Sequence, residues 1–179
     1  MFGQGRPWED TVRRARALAE EAGSLVKSGR KLRPDWLGPA AAWLAADAPA
    51  WEDMSGAIPK ERSYRLLASS LQLEAWLICW PPGGRLALHD HGGASGALQV
   101  VRGDLYEGFV SDGGTRVRSR ALSAGEGVAF DGDYLHDVAN RGADLTTTVH
   151  LYGPASTSMS FYRLHPSSRR PMPISVPPG

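Results

Sequence analysis

Twelve of the chain's 21 glycines fall between Gly83 and Gly132. Glycine in a helix interior costs about 1 kcal/mol relative to alanine, so a stretch this rich in it must be short strands separated by turns. The runs between the turn signals are β-like: Leu71–Trp80 before Pro81-Pro82-Gly83-Gly84, Ala97–Val101 before Arg102-Gly103-Asp104, and Leu105–Val110 before Asp112-Gly113-Gly114. Thr115–Leu122, Gly127–Phe130 and Leu145–Tyr152 continue the pattern. Many short strands at this spacing predict a mainly β protein with an antiparallel sandwich or barrel. Nothing repeats at a fixed period.

The first sixty residues read differently. Val12, Ala15, Leu18, Ala19, Ala22, Leu25 and Val26 recur at three- and four-residue steps, the mark of one apolar helix face. Asp10 or Thr11 is the expected cap and Gly29 the expected stop. A second, shorter helix is expected over Pro39–Asp47, ahead of Pro49. The predicted organisation is a helical segment over residues 1–59, a β-barrel over 60–165 and a proline-rich arm over 166–179, forming a single domain overall. That arm is expected to lack regular structure.

Composition narrows the function classes. Lys+Arg is 20 against Asp+Glu 19, a formal net charge of +1, and neither half of the chain hides a cationic excess. Nucleic-acid and membrane-surface binders need a concentrated basic footprint, so neither partner is expected. A lone cysteine, Cys79, excludes an internal disulfide framework and fits a reducing compartment. No apolar run approaches the ~20 residues of a membrane span, and no signal peptide is visible after Met1. A cytoplasmic monomer is the expectation.

Five histidines carry the chemical signal: His89, His91, His136, His150 and His165. On a strand, His89 and His91 project to the same face with Cα atoms ~7 Å apart, so both imidazoles can converge on one ion. Taken alone, such a pair is weak evidence for a metal, being more often two solvated or core-satisfied side chains near a glycine-rich turn. The surroundings add to it. Gly83, five residues, His89-x-His91 and then Gly103 match the spacing of the first cupin motif. Gly125 followed by His136-Asp137-Val138-Ala139-Asn140 matches the second. The sequence departs from these motifs at Asp131 and Asp133, which stand where Pro and Gly are usual, and at Gly96, which stands where the first motif has a glutamate ligand. Three neutral imidazoles remain as the candidate ligand set, a face with open positions of the kind a catalytic metal needs.

Between Tyr64 and Met159 the chain resembles the cysteine dioxygenase family of thiol dioxygenases. The matching blocks are Trp80-Pro81-Pro82-Gly83-Gly84, Leu88-His89-Asp90-His91-Gly92, Leu135-His136-Asp137-Val138-Ala139-Asn140 and Val149-His150-Leu151-Tyr152-Gly153-Pro154. The resemblance implies a cupin barrel with the N-terminal helices outside. It also implies Fe(II) on His89, His91 and His136, and oxidation of a small thiol, L-cysteine, to a sulfinic acid by O₂. A Thr148–His150–Tyr152 relay is implied on one strand face, with Arg65, next to Tyr64, holding the substrate carboxylate. Ile78, Trp80 and Met159 are expected pocket walls, and a cis proline is expected after Tyr152. With Gly96 where vertebrate members carry a cysteine, no cysteine–tyrosine cross-link is expected. The competing readings are a dioxygenase for another thiol such as 3-mercaptopropionate, or a non-redox metal-binding cupin acting as an isomerase or sensor.

Overall fold

A computed structural model describes residues 7–46, 59–111, 114, 116–155 and 158–175. Helix α1 spans Pro7–Lys27, and its face of Ala15, Leu18, Ala19 and Ala22 is buried. The helix starts earlier than the expected cap at Asp10 or Thr11; Thr11 lies inside it and is fully buried. It stops as expected. Gly29 takes φ +83°, and the N–H groups of Gly29 and Arg30 bond to the carbonyls of Val26 and Leu25 at 2.9 and 3.1 Å, which is the Schellman arrangement.

The second helix corrects an expectation. Helix α2 spans Pro34–Ala45, with Pro34 at its start and Pro39 inside it. Proline suits the first helical position because its missing N–H has no partner there anyway. Two prolines compete for that role, and Pro34 takes it. Leu37, Ala40, Ala41 and Leu44 are buried, and a Cβ on Gly38 would stand 3.3 Å from that of Ala129, so the helix backbone sits close on the sheet. Asp47 and Pro49 lie outside the described residues. Among the described residues no helix is long and apolar enough to cross a membrane.

Among the described residues eleven strands follow: β1 (Ser63–Ser69), β2 (Glu74–Trp80), β3 (Arg85–His89), β4 (Ser95–Arg102), β5 (Asp104–Ser111), β6 (Arg116–Ser123), β7 (Gly127–Phe130), β8 (His136–Ala139), β9 (Thr146–Gly153), β10 (Phe161–Leu164) and β11 (Pro171–Ile174). They pair antiparallel into a five-stranded sheet, β1-β2-β9-β4-β7, and a six-stranded sheet, β11-β10-β3-β8-β5-β6. The expected run Leu71–Trp80 is in fact β2 alone. Leu71 sits in the β1–β2 turn, where the Ser70 hydroxyl accepts the N–H groups of Gln72 and Leu73 at 3.2 and 3.1 Å. The proline-rich arm is corrected too: Pro171–Ile174 pairs with β10 as the outermost strand of its sheet, where proline's missing N–H removes no ladder bond needed on the open side. Thr115 and residues 176–179 lie outside the described residues. The Gly153–Pro154 bond is cis.

Strands β2 and β9 run through the middle of the five-stranded sheet. Their outward residues, Ala75, Leu77, Val149 and Leu151, join the α1 and α2 side chains in one apolar cluster. Their inward residues face the second sheet, where Trp80, Leu98, Val100, Leu105, Leu122 and Val138 form a second cluster. The helices therefore cap one side and leave the interior between the sheets for chemistry. Leu151 pairs across to Ala75 and Ala97 and is fully buried, so Leu151→Ala should destabilise the fold by about 2–5 kcal/mol. Chemical denaturation measures this; metal content of the folded protein should not change, since the side chain faces the helices.

Candidate metal centre

His89 closes β3, His91 follows two residues later, and His136 opens β8 directly across from His89. The sequence separates the pair from the third histidine by 45 residues, but antiparallel pairing of β3 with β8 closes that distance. All three side chains are about 1% exposed. Their candidate ligand nitrogens lie within 4.8 Å of one another, and the Nε2 atoms of His91 and His136 are 3.3 Å apart. Burial pushes the His89 imidazole down to about 3 and His91 to about 2, and the neighbouring histidines add to both shifts. The His89 and His91 rings are therefore neutral near pH 7, with lone pairs available to an ion.

The second ring nitrogens are committed. His89 Nδ1 lies 2.7 Å from the Ala87 carbonyl, and His136 Nδ1 lies 2.7 Å from Glu107 Oε1. A carbonyl and a carboxylate only accept, so both histidines donate through Nδ1 and present Nε2 inward. The donor set of three imidazoles, the only such group among the described residues, fits a divalent transition metal such as iron.

The three histidines open onto a cavity of about 370 Å³, within the usual range for a small-molecule site. Tyr64, Ile78, Trp80 and Met159, all expected pocket residues, line it. So do His150 and Tyr152. Along β9 the Thr148 hydroxyl is 2.9 Å from His150 Nε2, and His150 Nδ1 is 3.0 Å from the Tyr152 hydroxyl. Trp80 Nε1 donates to Thr148 Oγ1 at 2.9 Å, a fourth member the spacing did not reveal. Burial lowers His150 to about 3 and pushes the Tyr152 hydroxyl well above the usual tyrosine range.

Arg65 is not in this cavity, which corrects the expectation for it. On β1 it pairs with Leu77 on the helix-facing side, near Cys79, and is exposed. Successive strand residues face opposite ways, so Tyr64 and Arg65 cannot both line one pocket. Arg62, two residues before Tyr64, lines it instead, with its guanidinium 5.4 Å from the Trp80 ring centre. Burial lowers the Arg62 pKa, opposed by Tyr64 and Tyr152.

Asp90, between two of the histidines, ties down the far wall. Its carboxylate accepts the N–H groups of Gly92 and Ser160, each at 3.0 Å, and the Tyr162 hydroxyl at 2.7 Å. That clip brings Met159 and Phe161 to the cavity. Gly96 stands directly opposite Tyr152 in the ladder. A Cβ there would lie 2.5 Å from the Phe130 ring, which stacks on His91 with centroids 4.8 Å apart.

Comparison with known proteins agrees with this geometry. The chain is 31% identical over 77 residues to germin-like protein subfamily 3 member 3 of Arabidopsis thaliana, covering 43% of this chain and 36% of that protein. Among solved structures, an oxalate oxidase in complex with the substrate analogue glycolate superposes with a TM-score of 0.51 at 20% identity, covering 59% of this chain and 57% of that one. The TT1209 protein of Thermus thermophilus gives a TM-score of 0.50 at 15% identity, over 59% of this chain and 94% of its own. The chain thus spans little more than half of the oxalate oxidase and about a third of the germin-like protein. These likenesses establish a cupin fold. A family model described as cysteine dioxygenase type I matches residues 40–164, most of the chain and every residue of the three-histidine centre, so the chain belongs to the cysteine dioxygenase type I family.

Proposed function

We propose that this protein is a cytoplasmic, Fe(II)- and O₂-dependent dioxygenase that converts the thiol of L-cysteine to cysteine sulfinic acid. The observation that supports it is one shared cavity faced by three buried imidazoles, by an arginine, and by the His150 and Tyr152 end of a Thr–His–Tyr chain. In the net reaction both atoms of one O₂ add to the sulfur, and the sulfur itself supplies the electrons that O₂ takes up, so no external reductant is consumed. When bound, Fe(II) supplies open coordination positions at which a thiolate and O₂ can meet.

The chain's own residues bind and orient. Arg62 takes the role expected of Arg65. Its planar fork matches a carboxylate with two parallel hydrogen bonds, and its place beside Tyr64 and Trp80 sets the substrate's charged end at the cavity wall. The hydrogen-bond chain on β9 has a direction. Indole N–H only donates, so Thr148 accepts from Trp80 and passes its own proton toward His150 Nε2. A neutral His150 then carries its hydrogen on Nδ1 and donates it to the Tyr152 oxygen. That leaves the Tyr152 O–H free to aim at the substrate, where it can hold or deliver a proton.

Arg62→Ala should raise the KM for cysteine roughly tenfold to hundredfold, the loss expected for a charge-assisted bidentate pair of ~1.5–3 kcal/mol. Arg65→Ala should leave it within about twofold of wild type. Steady-state O₂ uptake with sulfinate detection measures both, and the reverse pattern would move the carboxylate site to the other side of the strand. Tyr152→Phe should keep iron and fold yet slow kcat by about 10²-fold, the usual scale of a lost proton-transfer group. Wild-type turnover in that variant would reduce the chain on β9 to scaffolding.

A further inference from the structure

Behind His136, on the side away from the cavity, lies an ion pair between a fully buried carboxylate and a partly exposed arginine that the proposed reaction does not use. Glu107 on β5 is fully buried. Its strand runs between β8, which carries His136, and β6, which carries Arg120. Glu107 Oε1 is 2.7 Å from His136 Nδ1 and 3.0 Å from the Tyr134 hydroxyl, and Oε2 is 2.5 Å from Arg120 Nε. Arg120 Nη2 also reaches the Tyr134 hydroxyl, at 2.7 Å.

These bonds can be assigned without ambiguity. Arg120 only donates, so the Tyr134 oxygen accepts from it and must send its own proton to Glu107. An ionised carboxylate only accepts, so the last contact requires His136 to donate from Nδ1. The carboxylate is held at both oxygens and cannot rotate away. A stability role explains this poorly, because apolar side chains of similar volume commonly replace a buried ion pair at little or no cost.

We propose that Glu107 is a positioning residue for the metal, held in place by Arg120 and Tyr134. It locks His136 in the Nδ1–H tautomer, aims the Nε2 lone pair at the ion, and pushes electron density onto that imidazole. The first cupin motif here has Gly96 in place of a carboxylate ligand, and Glu107 returns negative charge to the centre one imidazole further out. The inference rests on the metal-centre reading but not on the thiol or the dioxygenase step.

The test loads the full-length protein with Zn(II) and measures affinity by competition with a chromophoric chelator, beside the proton resonance of His136 Nδ1–H. Glu107→Gln keeps the shape but not the charge. It should weaken Zn(II) binding roughly tenfold to hundredfold and move the Nδ1–H resonance upfield, whereas a purely structural role would change neither once the protein is folded. An affinity within about twofold of wild type, or an unmoved resonance, would overturn the proposal. Should Glu107→Gln fail to fold, Arg120→Met, which frees one carboxylate oxygen, should still weaken Zn(II) at least about threefold, and an affinity unchanged within about twofold overturns it equally. Wild-type protein that binds Zn(II) but makes no sulfinate from L-cysteine when loaded instead with Fe(II) under O₂ would sink the dioxygenase reading and leave this one standing. Wild-type protein that binds no metal sinks both.

Discussion

The site depends on β9, a strand buried on both faces, and on β2 beside it, whose helix-facing side is buried. Both lie between the helices and the second sheet; every residue of β9 is buried, and β2 alternates half-buried cavity-facing residues with buried ones. The period of two then divides labour. Ala75, Leu77, Val149 and Leu151 anchor the helices, while Trp80, Thr148, His150 and Tyr152 stand on the opposite face as a hydrogen-bonded row. A slip of one residue in register would exchange the two sets. The apolar cluster outside is therefore what fixes the hydroxyl of Tyr152 inside, and groups fixed on central strands hold a geometry better than groups on loops.

Electrostatics follow from the same burial. Four imidazoles, those of His89, His91, His136 and His150, sit in the interior with at most 3% exposure. Burial disfavours the protonated forms of His89, His91 and His150, which leaves ring lone pairs open to a cation. The full charges near them are segregated. Arg62 and Glu74 both stand at the cavity wall, while Glu107 and Arg120 pair behind His136. An anionic substrate and a cationic metal can thus be attracted to one cavity without the two protein cations meeting there.

Much of this is legible in the sequence because it depends on short-range spacing. Alternation puts His89 with His91 and aligns Thr148, His150 and Tyr152, and the glycine-rich turns announce short strands. What escapes is either strand parity or a long-range pairing. Tyr64 and Arg65 cannot be pocket neighbours, because adjacent strand residues face opposite ways; the parity that keeps Tyr64 also selects Arg62. Pro34, and not Pro39, starts the second helix, although it lies outside the apolar pattern. The proline content of the tail conceals an edge strand at Pro171–Ile174, where proline is tolerated. Glu107, Arg120 and Tyr134 belong to different segments joined only by the β5–β6 and β5–β8 ladders, so no local motif could name them.

In the proposed reaction the thiol sulfur receives both atoms of O₂ at the three-histidine centre. The direct measurement is the mass of the product formed from L-cysteine by the iron-loaded protein under oxygen-18 gas. Cysteine sulfinic acid carrying label at both sulfinate oxygens is the predicted result, and it should vanish in a His136→Ala protein. Unlabelled or singly labelled sulfinate, or cystine as the sole product, would contradict it.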